Sequence, residues 1–466
     1  MLSCNRVPAR AASYQATGVK VGELTQTSAI VWTRATRSAE RRADGKDFGL
    51  TRSWAFVKPL EEGTGVGDLV GACPGAEARV RVRYGTDKGQ LTAETEWIRV
   101  TATSDFSHQF VLRDLKPATC YYYESQTSSA GDDTVDSSLA GSFRTAPSAD
   151  VPAPVRFTAI TGQMYSRRDL TNGFQIYRAM GDLKPHFIVP TGDTVYYDKD
   201  EPLANTVELA RHHWHRIYSL PIVKAFHLNV PGYWEKDDHD TLWDDCWPGM
   251  SCPGIKPFTF EDGLRIFREQ VPMGEKTYRT VRWGRDLQIW LMEGRDFRSS
   301  NRMKDGPDKT IWGKEQKQWL FGGLEASDAA WKIIISPTPI VGPDRGNKTD
   351  NHSNRSFAHE GNEVRSWLKA NVASNCVIVC GDRHWQYHSV HPQTGLEEFS
   401  TGPTTDRHAG GFGRQHAMHK FFRKAGGFLS VEFSYEGGRP RLVFRHHDVT
   451  GKVMYEHKKE RNNLNE

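Results

Sequence analysis

Residues 186–198 read HFIVPTGDTVYYD, an apolar run that stops at Gly192-Asp193 and continues into Tyr196, Tyr197 and Asp198. A short unbroken apolar run bounded by turn residues reads as a strand of an α/β pattern. In α/β sheets sites are built at the carboxyl ends of strands, and a glycine beside an aspartate lets the backbone turn so that the carboxylate points at a shared centre. Two other stretches repeat the arrangement. One runs Trp234-Glu235-Lys236-Asp237-Asp238-His239-Asp240 with Asp244-Asp245 just beyond, and the other runs Cys376 to Cys380 into Gly381-Asp382-Arg383-His384-Trp385. Crowded carboxylates repel one another, and a hard multivalent cation offsets that repulsion; a solvated acidic turn moderated by Lys236 and His239 is the alternative for the first of these loops. Asp382 and His384, two apart on an extended segment, project to one side, which suits a carboxylate and an imidazole on one metal. Three strand ends each carrying Asp or His point to a dinuclear hydrolytic centre.

Outward from these loops, apolar strands alternate with helical patterns, the signature of α/β layering. Strands are expected at 155–161, 186–191, 230–236, 287–293, 331–336 and 376–381, helices near 173–183, 203–218, 314–326 and 360–372, and a return to β structure over 397–455. Before Pro147 the texture is different: short β-branched and aromatic runs between turns, at 28–36, 78–86 and 97–103, read as an antiparallel all-β unit. Leu115-Lys116-Pro117-Ala118-Thr119-Cys120-Tyr121 has the form of a tyrosine corner, in which a phenol caps nearby backbone in an immunoglobulin-like sandwich. The apolar-poor, proline-bearing stretch 148–154 sets the boundary, giving an N-terminal β-sandwich over 1–150 and a second domain over 151–466.

With 466 residues the chain has room for more than one core, and 61 basic against 57 acidic side chains leave a net charge of +4. That balance argues against a protein built to bind nucleic-acid backbones, and no uncharged apolar run reaches the length of about 18 residues needed to span a bilayer. Seven cysteines are an odd count, which speaks against a full disulfide framework; Cys246 and Cys252 bracket a turn-rich loop that suits either a small disulfide or two idle thiols. The start, Met1-Leu2-Ser3-Cys4-Asn5-Arg6, lacks the apolar stretch of a secretory signal.

The three loops, in this order and at strand ends, resemble those of the PhoD-like alkaline phosphatases and phosphodiesterases, a branch of the calcineurin-like metallophosphoesterases, and with the leading sandwich the likeness covers nearly the whole chain. The resemblance implies an α/β fold with a β-sandwich core flanked by helices in four layers, α/β/β/α, preceded by a fibronectin- or immunoglobulin-like domain. It implies that Asp193 bridges two metals, that Tyr196 supplies a phenolate to an iron-like site, and that Asp238 is a ligand where the wider superfamily has asparagine. Asp382 and His384 complete the ligands, and His239 contacts the leaving group or a phosphoryl oxygen. Arg295, within a segment similar to the family's arginine-containing one, or Arg383 orients the phosphate or else pairs with a neighbouring carboxylate. The implied cofactors are two or more divalent or trivalent ions, calcium with iron, with zinc, manganese or magnesium as alternatives, holding a hydroxide that attacks a small phosphate ester. Kinship also implies export.

One departure stands out. Where the family carries a cysteine ligand at the end of the first strand, this sequence reads Thr161-Gly162-Gln163-Met164-Tyr165. A thioether is a poor ligand for ferric iron, so the first site is altered, filled by another ion, or completed by Gln163 or water. Two rival readings follow: a phosphodiesterase acting on phospholipid or wall-polymer headgroups, and a silent metal- or phosphate-binding homologue in which Met164 has replaced a ligand. His352 lies in a stretch from Asp344 that reads as a loop over the site. The histidines of 211–215 read as part of a structural helix, those of 445–448 as strand-end residues, and 406–411 as a loop with a part in substrate choice.

Overall fold

The computed structural model describes residues 12–48, 60, 63–130, 134–411 and 415–460. The strand Phe187–Pro190, which leads into Gly192-Asp193, lies parallel to Val155–Ile160 at one edge of a five-stranded sheet completed by Phe428–Glu436, Arg439–His447 and Val453–Glu460. A seven-stranded sheet faces it. Its order is Arg279–Trp283, Leu287–Leu291, Trp331–Ser336, Cys376–Cys380, Glu397–Thr401, Gln386–Val390 and His419–Arg423, and the four strands from Leu287–Leu291 to Glu397–Thr401 run parallel.

Side-chain alternation decides the layers. Phe157, Ala159, Val189, Leu429 and Val431 on one sheet meet Ile289, Ile333, Ile335, Val377, Val379 and Phe399 on the other in a shared core. The residues between them point the opposite way: Ile160, Ile188 and Phe428 pack under the helices Ile176–Asp182, Val207–Tyr218, Pro221–His227 and Phe260–Gln270. Trp290, Ile334 and Ile378 pack under Gly313–Ala326 and Ala358–Asn371. The result is the expected α/β/β/α stack, because strands apolar on both faces need cover on both.

The segment expected as a strand at 230–236 is not one. Pro231 has no N–H to give, and the segment pairs with its neighbours only through isolated bridges at Gly232 and Glu235. It still runs beside Phe187–Pro190, with Tyr233 N donating to Ile188 O and Glu235 N to Pro190 O, each at 2.9 Å. Its acidic loop therefore emerges next to Asp193. Two helices unforeseen in the sequence, Pro221–His227 and Phe260–Gln270, close the same side.

In the N-terminal region, Lys20–Gly22, Ala29–Arg34 and Ser107–Leu112 form one antiparallel sheet, and Ala93–Glu94, Ala78–Gly85, Cys120–Ser128 and Ser137–Arg144 form another, with Ile98–Val100 paired onto Ala78–Gly85. The Lys116 N–H donates to the Tyr121 hydroxyl at 2.9 Å, the tyrosine corner read from the sequence. Cys246 and Cys252 are free thiols in this structure, as are the other described cysteines. Among the described residues no helix is long and apolar enough to cross a membrane.

Candidate metal centre

Two close backbone contacts gather the three loops. At Gly192, φ +97°, a Cβ would lie 2.6 Å from the Asp237 N and Cβ; at Gly381 it would lie 2.3 Å from Thr191 Oγ1 and 2.8 Å from Pro337 O. Only glycine lets these loops stack this tightly. The aspartates that follow, Asp193 and Asp382, sit in the left-handed region at φ +56° and +60°. Aspartate tolerates this region better than most side chains, yet any non-glycine residue held there carries some strain, and such strain concentrates at functional sites. Asp240 stitches two of the loops together, accepting from Asp237 N at 2.7 Å and Thr194 N at 3.1 Å.

Asp193, Tyr196, Asp238, His239, Asp382 and His384 all line one polar cavity of about 540 Å³. Asp193 Oδ2 accepts from the Tyr196 hydroxyl at 2.9 Å and lies 3.5 Å from His384 Nε2, which is 3.3 Å from the same hydroxyl. Its other oxygen, Oδ1, is buried with no hydrogen-bond partner among the described residues. Asp193 also forms a group with Asp238 and His239 whose ligand atoms lie within 4.8 Å of one another, and Asp238 belongs to a second such group with Asp244 and Asp245. Asp193 and Asp238 are thus the shared corners of three adjoining donor sets.

Burial pushes the Asp193 carboxyl well above the usual carboxylate range; His239 pulls it back, while Asp238 and Asp240 add to the rise. Burial likewise takes Asp240 up to about 7. A protein that buries this many carboxylates side by side, one with an orphaned oxygen, has a donor set that fits multivalent cations, since a bound ion reverses that cost. The sets differ in character. Tyr196, His384 and Asp193 offer mixed O and N donors, whereas Asp238, Asp244 and Asp245 offer oxygens alone.

His239 is oriented by Asp198, whose Oδ1 lies 2.7 Å from Nδ1, while Nε2 is 3.6 Å from Asp244 Oδ1. Burial works against its charged form, but Asp198, Asp238 and Asp193 together hold the imidazole well above its ordinary pKa.

Arg295 and Arg383 lie behind the cavity. Arg295 is fully buried, and its Nε donates to Asp237 Oδ1 at 2.6 Å, with Asp350 at 3.7 Å and Asp238 at 3.9 Å. Arg383, equally buried, contacts Asp382 and Asp344. Both take the carboxylate-pairing alternative. The stretch from Asp344 does lie over the site: Arg345, Asn347 and Lys348 line the cavity, and Lys348 pairs with Asp245. His352 is buried elsewhere, its Nε2 3.0 Å from Glu360. His446 and His447 are structural, bonded to Ser400 O at 2.9 Å and Ser430 Oγ at 2.8 Å. The helix histidine His215 pairs with Asp105 at 2.5 Å.

Met164 is buried and forms part of the cavity wall. Gln163 turns away, its Oε1 taken by the Tyr177 hydroxyl. Asp198, Asp244, Asp245 and His408 also belong to the site, although the sequence assigns none of them individually as a ligand. For Asp244 and Asp245 the signal was present in the acidic loop itself; Asp198 and His408 reach the site only through the fold.

Comparison with known proteins bears on the family and the fold. The PhoD-like phosphatase family matches residues 157–461, and the PhoD-like phosphatase N-terminal domain matches residues 3–147. Alkaline phosphatase D of Bacillus subtilis (strain 168) is 23% identical over 326 residues, covering 59% of this chain and 52% of that protein. The match thus spans about half the length of the curated relative. A solved structure of PhoD superimposes with a TM-score of 0.72 at 17% identity, over 97% of this chain and 90% of that one. The purple acid phosphatase PPD1 from yellow lupin (Lupinus luteus) seeds shares the fold at a TM-score of 0.65 and 12% identity, over 94% of this chain and 73% of that one. With a family match across most of its length, the chain belongs to the PhoD-like phosphatases.

Proposed function

We propose that the protein is a metal-dependent phosphoric ester hydrolase that releases phosphate from small phosphomonoesters, with diesters as further substrates, and that its catalytic unit is residues 151–466 with the 1–150 sandwich as a positioning module. The observation that carries this is Asp193: a buried carboxylate in strained backbone, one oxygen unpartnered, set between Tyr196 and His384 on one side and Asp238 on the other. Asp193, Tyr196 and His384 would hold a transition metal such as iron, and Asp238 with Asp244 and Asp245 a hard cation such as calcium. Asp382 adds a carboxylate at the cavity wall. Ions so held supply charge neutralisation at the phosphoryl oxygens and an activated nucleophile at neutral pH.

The chain's own groups do the rest. Asp198 on Nδ1 fixes the His239 ring, so Nε2 faces the cavity and is placed to give a proton to the leaving oxygen. Arg295 and Arg383 act as positioning residues: each fixes the aspartate beside it, and neither reaches the substrate. Arg167, Lys199, Arg345 and Lys348 in the cavity wall draw in an anionic ester. Export is proposed on the family resemblance alone.

The test is hydrolysis of a chromogenic monoester and the matching diester by wild type and Asp193→Asn. Turnover by wild type and a loss of at least about a thousandfold in the variant are expected. Equal rates in the two proteins would overturn the reading.

A further inference from the structure

The inward face of the last strand carries polar groups where a strand over a core ordinarily brings apolar ones. Along Val453–Glu460, the partly buried Tyr455, His457 and Lys459 alternate with the exposed Met454, Glu456 and Lys458. The three inward residues meet His388 of Gln386–Val390 and Glu397 of Glu397–Thr401, two strands of the facing seven-stranded sheet. None of these residues lines the cavity around Asp193.

His388 Nε2 and His457 Nε2 lie 3.0 and 2.9 Å from the same Glu397 oxygen, Oε2, and the ligand atoms of the three residues fall within 4.8 Å of one another. Two imidazoles and a carboxylate converging at this spacing make the three-ligand set of a zinc-class site whose fourth position goes to water. Lys459 Nζ takes the other oxygen, Oε1, and leaves Oε2 to the imidazoles. His388 is buried and stacked on Phe399 at 4.1 Å between centroids, whereas His457 is partly exposed, so an ion has a way in from solvent.

The protonation states suit a ligand set. Burial holds His388 below its ordinary pKa. Burial opposes the Glu397 charge, but hydrogen bonds from His388 and His457 and the Lys459 charge hold its carboxyl well below the usual range. Neutral imidazole and ionised carboxylate are the forms that bind metal. His388 Nδ1 lies 2.9 Å from the Tyr455 hydroxyl, which donates or accepts and so serves either tautomer. With the hydrogen on Nδ1, Nε2 offers its lone pair to an ion, and the phenol oxygen fixes the ring.

We propose that His388, Glu397 and His457 bind a divalent transition-metal ion of the zinc class, a structural ion that pins the edge strand Val453–Glu460 of one sheet to the other. The site stands independently of the catalytic reading, with which it shares no residue.

The experiment is isothermal titration of the chelated full-length protein with Zn²⁺, with thermal unfolding of the same samples, for wild type, His457→Gln, Asp193→Asn and Lys458→Ala on the exposed face of the same strand. Circular dichroism establishes that each is folded. His457→Gln is expected to bind one Zn²⁺ fewer per chain, or that one at least about tenfold more weakly, and to lose the rise in Tm that this ion gives; Lys458→Ala and Asp193→Asn keep both. Zn²⁺ binding and Tm unchanged in folded His457→Gln would mean that the trio is a hydrogen-bonded latch and would overturn the inference. A wild-type crystal soaked in Zn²⁺ and measured on either side of the zinc absorption edge reads the site without any variant. An anomalous peak between His388, Glu397 and His457 is expected, and no peak there overturns the inference equally.

Discussion

At the scale of single residues, the site is defined by charges the chain cannot tolerate unaided. Asp193 and Asp382 adopt left-handed backbone, and Asp193 is buried at 1% exposure with its carboxyl raised by that burial. These residues were legible in the sequence because a Gly-Asp pair after an apolar run has few other reasons to recur at two strand ends. His239 was legible for the same reason, as part of the acidic loop. Its orienting partner was not, since Asp198 lies 41 positions away and meets it only in the folded state. Arg295 illustrates the limit: its segment marks it as important, but whether guanidinium meets phosphate or carboxylate depends on the buried Asp237 beside it. Two outcomes follow. His239→Asn should reduce kcat by about a hundredfold or more with little change in KM, measured with a monoester at saturating concentration. Met164→Cys should place a thiolate in the cavity wall and raise iron retained after dialysis, read by metal analysis and a new charge-transfer band.

At the scale of elements, short apolar strands were readable and the connections less so. Trp331–Ser336 is found where its pattern puts it, and the parallel strands end within a residue or two of their expected limits. The segment at 230–236 has strand composition but lacks a ladder, because Pro231 removes a donor. The unforeseen helix Phe260–Gln270 did carry a signal: Thr259 accepts from Asp262 N at 3.1 Å and Asp262 answers to Thr259 N at 3.2 Å, a complete capping box. Thr259→Ala should therefore cost about 1 kcal/mol in denaturant unfolding.

The helix Ala358–Asn371 is fixed to the loop before Gly313–Ala326 by Glu360, which accepts from Ile311 N at 2.5 Å, from the Thr310 hydroxyl, and faces His352. Burial opposes the Glu360 charge, but the hydrogen bonds from His352, Ile311 and Thr310 prevail and hold its carboxyl down to about 2. A depressed carboxylate stabilises the fold above its unfolded pKa, near 4.3, and that contribution is lost as pH falls toward 2. Glu360→Gln should lower stability at pH 7 by about 3 kcal/mol and flatten the acid limb of the stability curve, measured by urea unfolding in chelator.

At the scale of the whole molecule, the N-terminal sandwich is bound to the α/β stack through buried polar contacts. Asp105 pairs with Arg34 at 3.0 Å and with His215 of the helix Val207–Tyr218 at 2.5 Å, and it accepts from Gln270 at 2.8 Å. Trp32 donates to Glu269 O at 2.7 Å, and Arg279 binds Glu23 in a fork at 2.7–3.1 Å. Asp105→Asn leaves Arg34 buried without its counter-charge and should cost about 3–5 kcal/mol, with the thermal transition falling accordingly. The alternation of strands and helices was legible in the apolar runs, while the two-sheet, four-layer plan was implied by the family resemblance. The arrangement of sandwich on stack was not legible, because Asp105 and His215 are 110 residues apart and each alone reads as an ordinary polar residue.

Hydrolysis of phosphate esters through cations held by Asp193, Tyr196, Asp238, Asp382 and His384 is the proposed function. Its most direct test is turnover of a chromogenic phosphomonoester by one preparation in three states: as purified, after chelation, and after calcium and iron are restored. Activity that chelation removes and the metals return is expected. Activity undiminished by a chelator shown to have stripped the protein, or none in any state from a folded protein, would contradict it.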